Sequence, residues 1–424
     1  MTRTTLIAAV AALAFLAPDR NASAQSPTVI FEWNQKIQDT IPGGGGAGAP
    51  RFYALAHIAM FDAANAIERE FEPYHVPFGR GGGSAAAAAA QAAHDVMVAL
   101  NPSATAAYDA LLLQQFGSQP HGFDRHGMTI GARVAAQILA WRQNDGWIVP
   151  TFPAYSEPPF PGRWQPTPTG FGSATFTHVG QATPLAMVSP TQFLPPPPPI
   201  LTSPRYGTDL NEVQLLGSLD SATRTPEQTA IARTWASIAA SGTGSATHYS
   251  QIWQNIARDL AVGRSLSLVE TARLFVLMNV AIHDALQTTL TSKFIYGMWR
   301  PITAIRQADT DLNGATHQDV AWATLIPTPP YPSYAGNMAT IGASAARVLA
   351  LALGGDDIPV AATWRQSGGQ PDITRHYATL ADVAQEQADS RIFGGIHFRF
   401  DNAAGQTAGR SVADYVFANF MRPK

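Results

Sequence analysis

The chain has 424 residues, of which 46% are hydrophobic and only 13% charged, with a net charge of −3 and no cysteine. That length and apolar content suffice for one or two large packed cores. The charge balance offers nothing to nucleic acid or an anionic membrane surface, and the missing cysteine excludes disulfides, thiolate nucleophiles and zinc–thiolate sites.

The chain opens with MTRTTLIAAVAALAFLAPDRNASAQ. Arg3, an apolar run from Leu6 to Ala17 and a small-residue Ala22-Ser23-Ala24 site read as a signal peptide over 1–24. The run is too short to cross a bilayer, so the expectation is a periplasmic or secreted protein with no membrane span after cleavage. An N-terminal helical half follows over 25–146, with Ala-rich amphipathic helices expected at 51–69, 84–100, 104–115 and 126–145. Residues 147–204 change character. Five consecutive prolines at 195–199 forbid a helix there, while Trp147, Phe152, Tyr155, Phe160, Trp164, Phe171 and Phe176 predict a connection packed on the protein. Helical patterning resumes in a C-terminal half over 205–424, where Thr225 caps and Pro226 takes the first helical position.

The two halves share a pattern. RFYALAHIAMFDAANAIE at 51–68 aligns with RLFVLMNVAIHDALQTTL at 273–290, matching Arg51 with Arg273, Leu55 with Leu277, Ala59 with Ala281 and Asp62-Ala63 with Asp284-Ala285. The expected fold is therefore all-α, two packed helical bundles joined by the Pro-rich excursion.

Chemistry concentrates in the second half. In KFIYGMWRP, Lys293 and Arg300 stand two helical turns apart, among aromatics where unpaired cations are costly. In SRIFGGIHFRFD, Arg391 precedes His397, and Asp401 follows at helix spacing, so the carboxylate can hold one imidazole nitrogen and present the other. A third stretch, PPYPSYAGNMATIGASAARVLALALGGD at 329–356, reads as a Pro-rich loop entering a buried helix that stops at the glycines. Asn337 is a candidate N-cap there, and helix N-termini bind anions. Two arginines, a lysine, an oriented histidine and a helix N-terminus describe a pocket for a tetrahedral oxyanion.

These residues resemble the vanadium-dependent haloperoxidases and type-2 phosphatidic acid phosphatases, which share an α-helical fold and three motifs: K-x6-R-P, P-S-G-H and S-R-x5-H-x3-D. The first stands complete as Lys293 to Arg300-Pro301 and the third as Ser390-Arg391, His397 and Asp401. MWRPITAIRQADTDLNG and TPPYPSY further resemble the bacterial haloperoxidase-like framework. The resemblance implies that His397 binds vanadate, or serves as nucleophile in a phosphatase. It implies oxyanion binding by Lys293, Arg300 and Arg391, with catalysis resting on His397 and Asp401.

The second motif departs from the pattern. In an ungapped reading Ala335-Gly336-Asn337-Met338 stands where the family has Pro-Ser-Gly-His, so Gly336 replaces the serine and Met338 the acid–base histidine. A shifted reading keeps Pro332-Ser333 but leaves Tyr334-Ala335 for Gly-His, so the histidine is missing either way. The backbone at Gly336 and Asn337 can still bind an anion, but a thioether transfers no proton. Three readings compete. One is a vanadate-dependent peroxidase using hydrogen peroxide to oxidise halide, with reduced or altered activity. Another is a phosphoric-ester hydrolase with phosphate in the same site and His283 or His317 as proton donor. The third is a noncatalytic oxyanion-binding protein. DTDLNGATH, beside His317, has an incomplete calcium-loop spacing and reads as a solvated turn.

Overall fold

The computed structural model describes residues 26–41, 48–77, 79, 81–236, 247–366 and 371–424, so the segment read as a signal peptide lies outside the described residues. The first half comprises α1 (Thr28–Thr40), α2 (Ala49–Glu68), α3 (Ala85–Leu100), α4 (Thr105–Phe116) and α5 (Gly122–Arg142). The second comprises α6 (Pro204–Gly217), α7 (Pro226–Trp235), α8 (Tyr249–Gly263), α9 (Leu268–Tyr296), α10 (Pro301–Arg306), α11 (Asn337–Leu353), α12 (Leu380–Phe393) and α13 (Arg399–Asn419). The chain is all-α apart from one small hairpin, β1 (Val360–Trp364) with β2 (Ile373–Tyr377), paired antiparallel from Val360–Tyr377 to Trp364–Ile373. Sequence reading did not anticipate this hairpin. Its short alternation buries only Ala362 and Trp364 on β1, too little to compete with the helical pattern around it.

The organising element is α9. Ser267 and Glu270 form a capping box at its start, and nearly every residue from Leu268 to Lys293 is buried, as expected of a helix that is apolar all round. It packs on α2, α11 and α13, and one hydrophobic cluster runs continuously from Val29 to Met421 through both halves. Thr225 caps α7 with Pro226 behind it, as its sequence requires.

From Trp147 to the start of α6 there is no α-helix, only a 3₁₀ turn at Val179–Gln181. This connection is fastened to α9. Gln287 donates to the carbonyls of Val179 and Ala182, and Asp284 accepts the N–H groups of Leu185, Ala186 and Met187. Trp147 and Trp164 are buried as the aromatic content predicts. Phe152, Phe160 and Phe171 are not, at 41%, 65% and 63% exposure, so the packing expectation holds for only part of the stretch.

Small residues set the spacing that builds the site. A Cβ at Gly405 would lie 2.4 Å from the Gly336 carbonyl, and one at Gly409 would lie 2.5 Å from the Thr340 carbonyl. Only glycine lets α13 approach α11 this closely. The close approach brings the first turn of α11 beside the first turn of α13.

Candidate oxyanion site

Three segments converge at one end of the second half. The helix α9 does not run on to Arg300: it ends at Tyr296, where Gly297 turns left-handed at φ 58°, and Arg300 is the N-cap of α10. Lys293 and Arg300 are therefore brought together by a chain reversal rather than by two turns of one helix. Likewise His397 and Asp401 do not share a helix face. His397 lies in the turn between α12 and α13, after Gly395 at φ 82°, and Asp401 sits in the first turn of α13.

The side chains meet all the same. Asp401 Oδ2 lies 2.8 Å from His397 Nδ1, and the Ser333 hydroxyl and Phe398 N–H donate to the same oxygen. An ionised carboxylate only accepts, so Nδ1 carries the proton and Nε2 presents its lone pair. Arg300 places Nη1 3.1 Å from that Nε2 and also donates to the Ile396 carbonyl, while its Nε donates to the Tyr331 carbonyl. Lys293 Nζ donates to the carbonyls of Ser333 and Ala335, at 2.6 Å each. Arg391 uses Nε on the Ser390 hydroxyl. Among the described residues, one nitrogen, Nη2, of both Arg300 and Arg391 is buried with no partner.

Electrostatics sharpen this imbalance. Lys293, Arg300 and His397 are almost fully buried, as is Arg391 at 6% exposure. Burial pushes both guanidinium groups down to about 10, so they remain charged at neutral pH. Burial, then Arg300, holds the Lys293 ammonium well below its ordinary value. Burial, then Arg300, Lys293 and Arg391, holds His397 well below the ordinary imidazole value, so the ring is neutral. Asp401 is pushed up to about 6 by burial, against the Ser333 hydrogen bond and the nearby cations. Among the described residues none of the three cations forms an ion pair with a carboxylate, and a buried excess of positive charge needs an anion.

A cavity of about 530 Å³ opens onto this cluster. Its walls include the polar Arg391, His397 and Asn337, the thioether of Met338, and Phe176, Trp235, Tyr249 and Tyr331 among the aromatics. Lys293 and Arg300 are fully buried, and neither contributes to the cavity wall. Met338, in the first turn of α11, lines the cavity with His397. Asn337 is the first helical residue, not the N-cap; Gly336 takes that position without a side-chain cap. Among the described residues the Asn337 Oδ1 is buried without a partner.

Gly336 does not serve as expected. Its N–H donates to the Asp401 carbonyl at 2.9 Å, so that amide is not available to an anion. A side chain there would point away from the cavity, with Cβ 2.7 Å from Asn402 Oδ1. The two histidines considered as proton donors lie elsewhere. His283 is fully buried in α9, paired with Asp284 at 2.9 Å and packed on Trp147, while His317 accepts through its carbonyl from Gln214. The Asp311 loop is satisfied internally, its carboxylate accepting from Thr316 and the Asn313 N–H. Tyr331 and His248 line the cavity and escape motif reading. Ser333, the serine that the shifted register keeps, does reach the site through Asp401.

Comparison with known proteins fits this geometry. Residues 273–423 match the family model described as the vanadium chloroperoxidase second helical-bundle domain. Over those residues the chain is similar to the second helical bundle of the vanadium haloperoxidases, and its fold as a whole is of their type. Vanadium chloroperoxidase of Curvularia inaequalis is 30% identical over 239 residues, which cover 45% of this chain and 38% of that protein, so this chain spans well under half the length of that curated relative. A bacterial vanadium-dependent iodoperoxidase superposes with a TM-score of 0.80 at 22% identity, covering 94% of this chain and 98% of that one. A bacterial vanadium-dependent chloroperoxidase in its holo form gives 0.67 at 17%, covering 93% and 92%. These two structures speak for the fold. In the haloperoxidase frame the residues here suit an oxyanion of vanadium. A neutral imidazole presents a lone pair, and two buried guanidinium N–H groups stand unpartnered beside the cations.

Proposed function

We propose that this haloperoxidase-like protein binds vanadate at His397 and uses hydrogen peroxide to oxidise halide, at a reduced rate because Met338 stands where a proton-transferring histidine would act. The observation that carries the reading is the pair of unpartnered Nη2 groups, on Arg300 and Arg391, beside a His397 whose tautomer is fixed by Asp401. Bound vanadate would supply Lewis acidity toward peroxide. Everything else falls to the chain. His397 Nε2 offers the ligand nitrogen, and Asp401 with Ser333 fixes that ring through Nδ1. Arg300, Arg391 and, from behind, Lys293 neutralise the oxyanion. The aromatic wall limits water. No histidine, lysine or carboxylate sits where Met338 does, so proton transfer from that position is lost, a step worth about 10²–10⁴-fold.

A phosphoric-ester hydrolase would use the same cations but needs a proton on the departing alkoxide. His283 and His317, the donors considered for that reading, are both away from the cavity. His248, which lines it with His397, is held down to about 4 by burial and so is a neutral ring with no acidic proton to give. We further infer export, from the segment 1–24. The test is calorimetric titration of the purified chain with orthovanadate and, in parallel, bromination with peroxide and bromide against hydrolysis of an aryl phosphate. Vanadate binding with slow bromination supports the proposal; phosphate-ester turnover without bromination overturns it.

A further inference from the structure

Met338 is held in an unusual way. Trp253 Nε1, which can only donate, points at Gln387 Oε1 at 2.8 Å and so fixes which way the Gln387 amide faces. Its Nε2 is thereby turned onto Met338 Sδ at 3.7 Å. Gln387 is fully buried, and room for its amide comes from Gly342, where a Cβ would lie 2.7 Å from Oε1. A thioether is a weak acceptor, and a buried carboxamide N–H spends little on it. A sulfoxide oxygen at the same sulfur would be a strong acceptor for that waiting donor. The sulfur belongs to a residue lining the cavity that holds His397 and Arg391.

From this geometry we propose that Met338 is a peroxide-modified residue of the chain, converted to its sulfoxide within the oxyanion cavity and held in that form by Gln387. The inference rests on the peroxidase reading of the same site. In the step a sulfur lone pair attacks one peroxide oxygen and the O–O bond breaks. The proton on the transferred oxygen passes to the departing hydroxide, which leaves as water, so one thioether and one hydrogen peroxide yield one sulfoxide and one water. The product, its oxygen bonded to Gln387 Nε2, pins the sulfur and its methyl group and turns a flexible thioether wall of the cavity into a rigid, bulkier one. Oxidation therefore weakens oxyanion binding, and the site limits itself under excess peroxide.

The experiment treats the full chain with hydrogen peroxide alone, with orthovanadate or with inorganic phosphate, and follows methionine oxidation by peptide mass. Met128, half-buried on α5 and far along the chain from the site, is the internal reference. Met338 sulfoxide should form at least about tenfold faster with orthovanadate than with phosphate, as Lewis-acid activation nearby requires, while Met128 oxidises equally in both. After treatment the wild type should lose orthovanadate affinity by calorimetry, and Met338→Leu should keep its starting value. Orthovanadate that binds without favouring Met338 oxidation overturns this inference and leaves the peroxidase reading standing. Orthovanadate that does not bind at all overturns both.

Discussion

The helices α2 and α9 carry the same pattern and do different work. In each, an aspartate in the same register, Asp62 or Asp284, lies fully buried and accepts three consecutive backbone N–H groups from a loop crossing the helix: Tyr74 to Val76 on α2, and Leu185 to Met187 of the Pro-rich connection on α9. The repeated carboxylate is thus a fastening for a loop. After it the halves diverge. The helix α2 ends at Glu68, and the residue in register with Lys293 is Phe71, beyond the helix and packed near Phe61. The helix α9 continues to Tyr296 and delivers Lys293, then Arg300, to the oxyanion site. The candidate site lies on the copy whose helix runs further past the shared aspartate.

The largest effect should fall on that site. His397→Ala removes the imidazole nitrogen that stands beside Arg300 and should lower orthovanadate affinity by more than about a hundredfold, since losing mere supporting contacts costs about 10–100-fold. Asp62→Asn, on the unextended copy, should leave that affinity unchanged in the same titration. Loss of affinity in both would mean the two bundles are functionally inseparable. Next comes the shared fastening. Asp284→Ala strands three buried N–H groups and the His283 ring nitrogen that pairs with it, and should cost about 3–5 kcal/mol in denaturant unfolding. A loss below about 1 kcal/mol would show that the 185–187 loop is held by its other contacts.

A smaller change should separate binding from turnover. Met338→His restores a titratable ring at the first turn of α11, where Gln387 Nε2 can donate to it. Peroxide-dependent bromination should rise about a hundredfold, the low end for a general acid–base group, with orthovanadate affinity little altered. No gain would mean that another cavity group, such as Tyr331, already moves the proton. Gly336→Ser is not a useful partner to this change, because its side chain would run into Asn402.

Much of this was readable from residue order, and the failures have identifiable causes. The helices of the first half follow from apolar periodicity over long Ala-rich runs, and the match between Arg51–Asp62 and Arg273–Asp284 is a one-dimensional pattern. The first and third motifs name Lys293, Arg300, Arg391, His397 and Asp401, which do cluster. How they cluster was not readable. Gly297 breaks α9 between Lys293 and Arg300, and a turn ahead of α13 carries His397, so spacing arguments that assumed continuous helix gave the right neighbours by the wrong route. The direction of Gly336 depends on the close contact between α11 and α13, a tertiary matter. The exposure of Phe152, Phe160 and Phe171 is equally invisible in composition, since aromatics mark only what could be buried.

The smallest expected effect tests whether the two fastenings are electrostatically alike. Burial pushes the Asp62 carboxyl up to about 6, outweighing the three backbone N–H groups that favour the carboxylate. A carboxyl whose folded value is raised stabilises the fold below its unfolded value near 4 and loses that contribution as pH rises through about 6. Wild type should therefore lose about 1–2 kcal/mol between pH 4 and 7 that a variant without the titrating group does not lose, a figure kept below the full shift because loop and denatured state relax. Asp62→Asn is that variant. Its carboxamide has one oxygen to offer where the carboxylate serves Tyr74 through Oδ1 and His75 and Val76 through Oδ2, so it is less stable at every pH. The informative quantity is the difference between the two unfolding curves across pH. It should shrink as pH rises, since only the wild type is being penalised. A difference constant from pH 4 to 7 would mean that Asp62 is ionised throughout, and that three aligned amides overcome burial on α2.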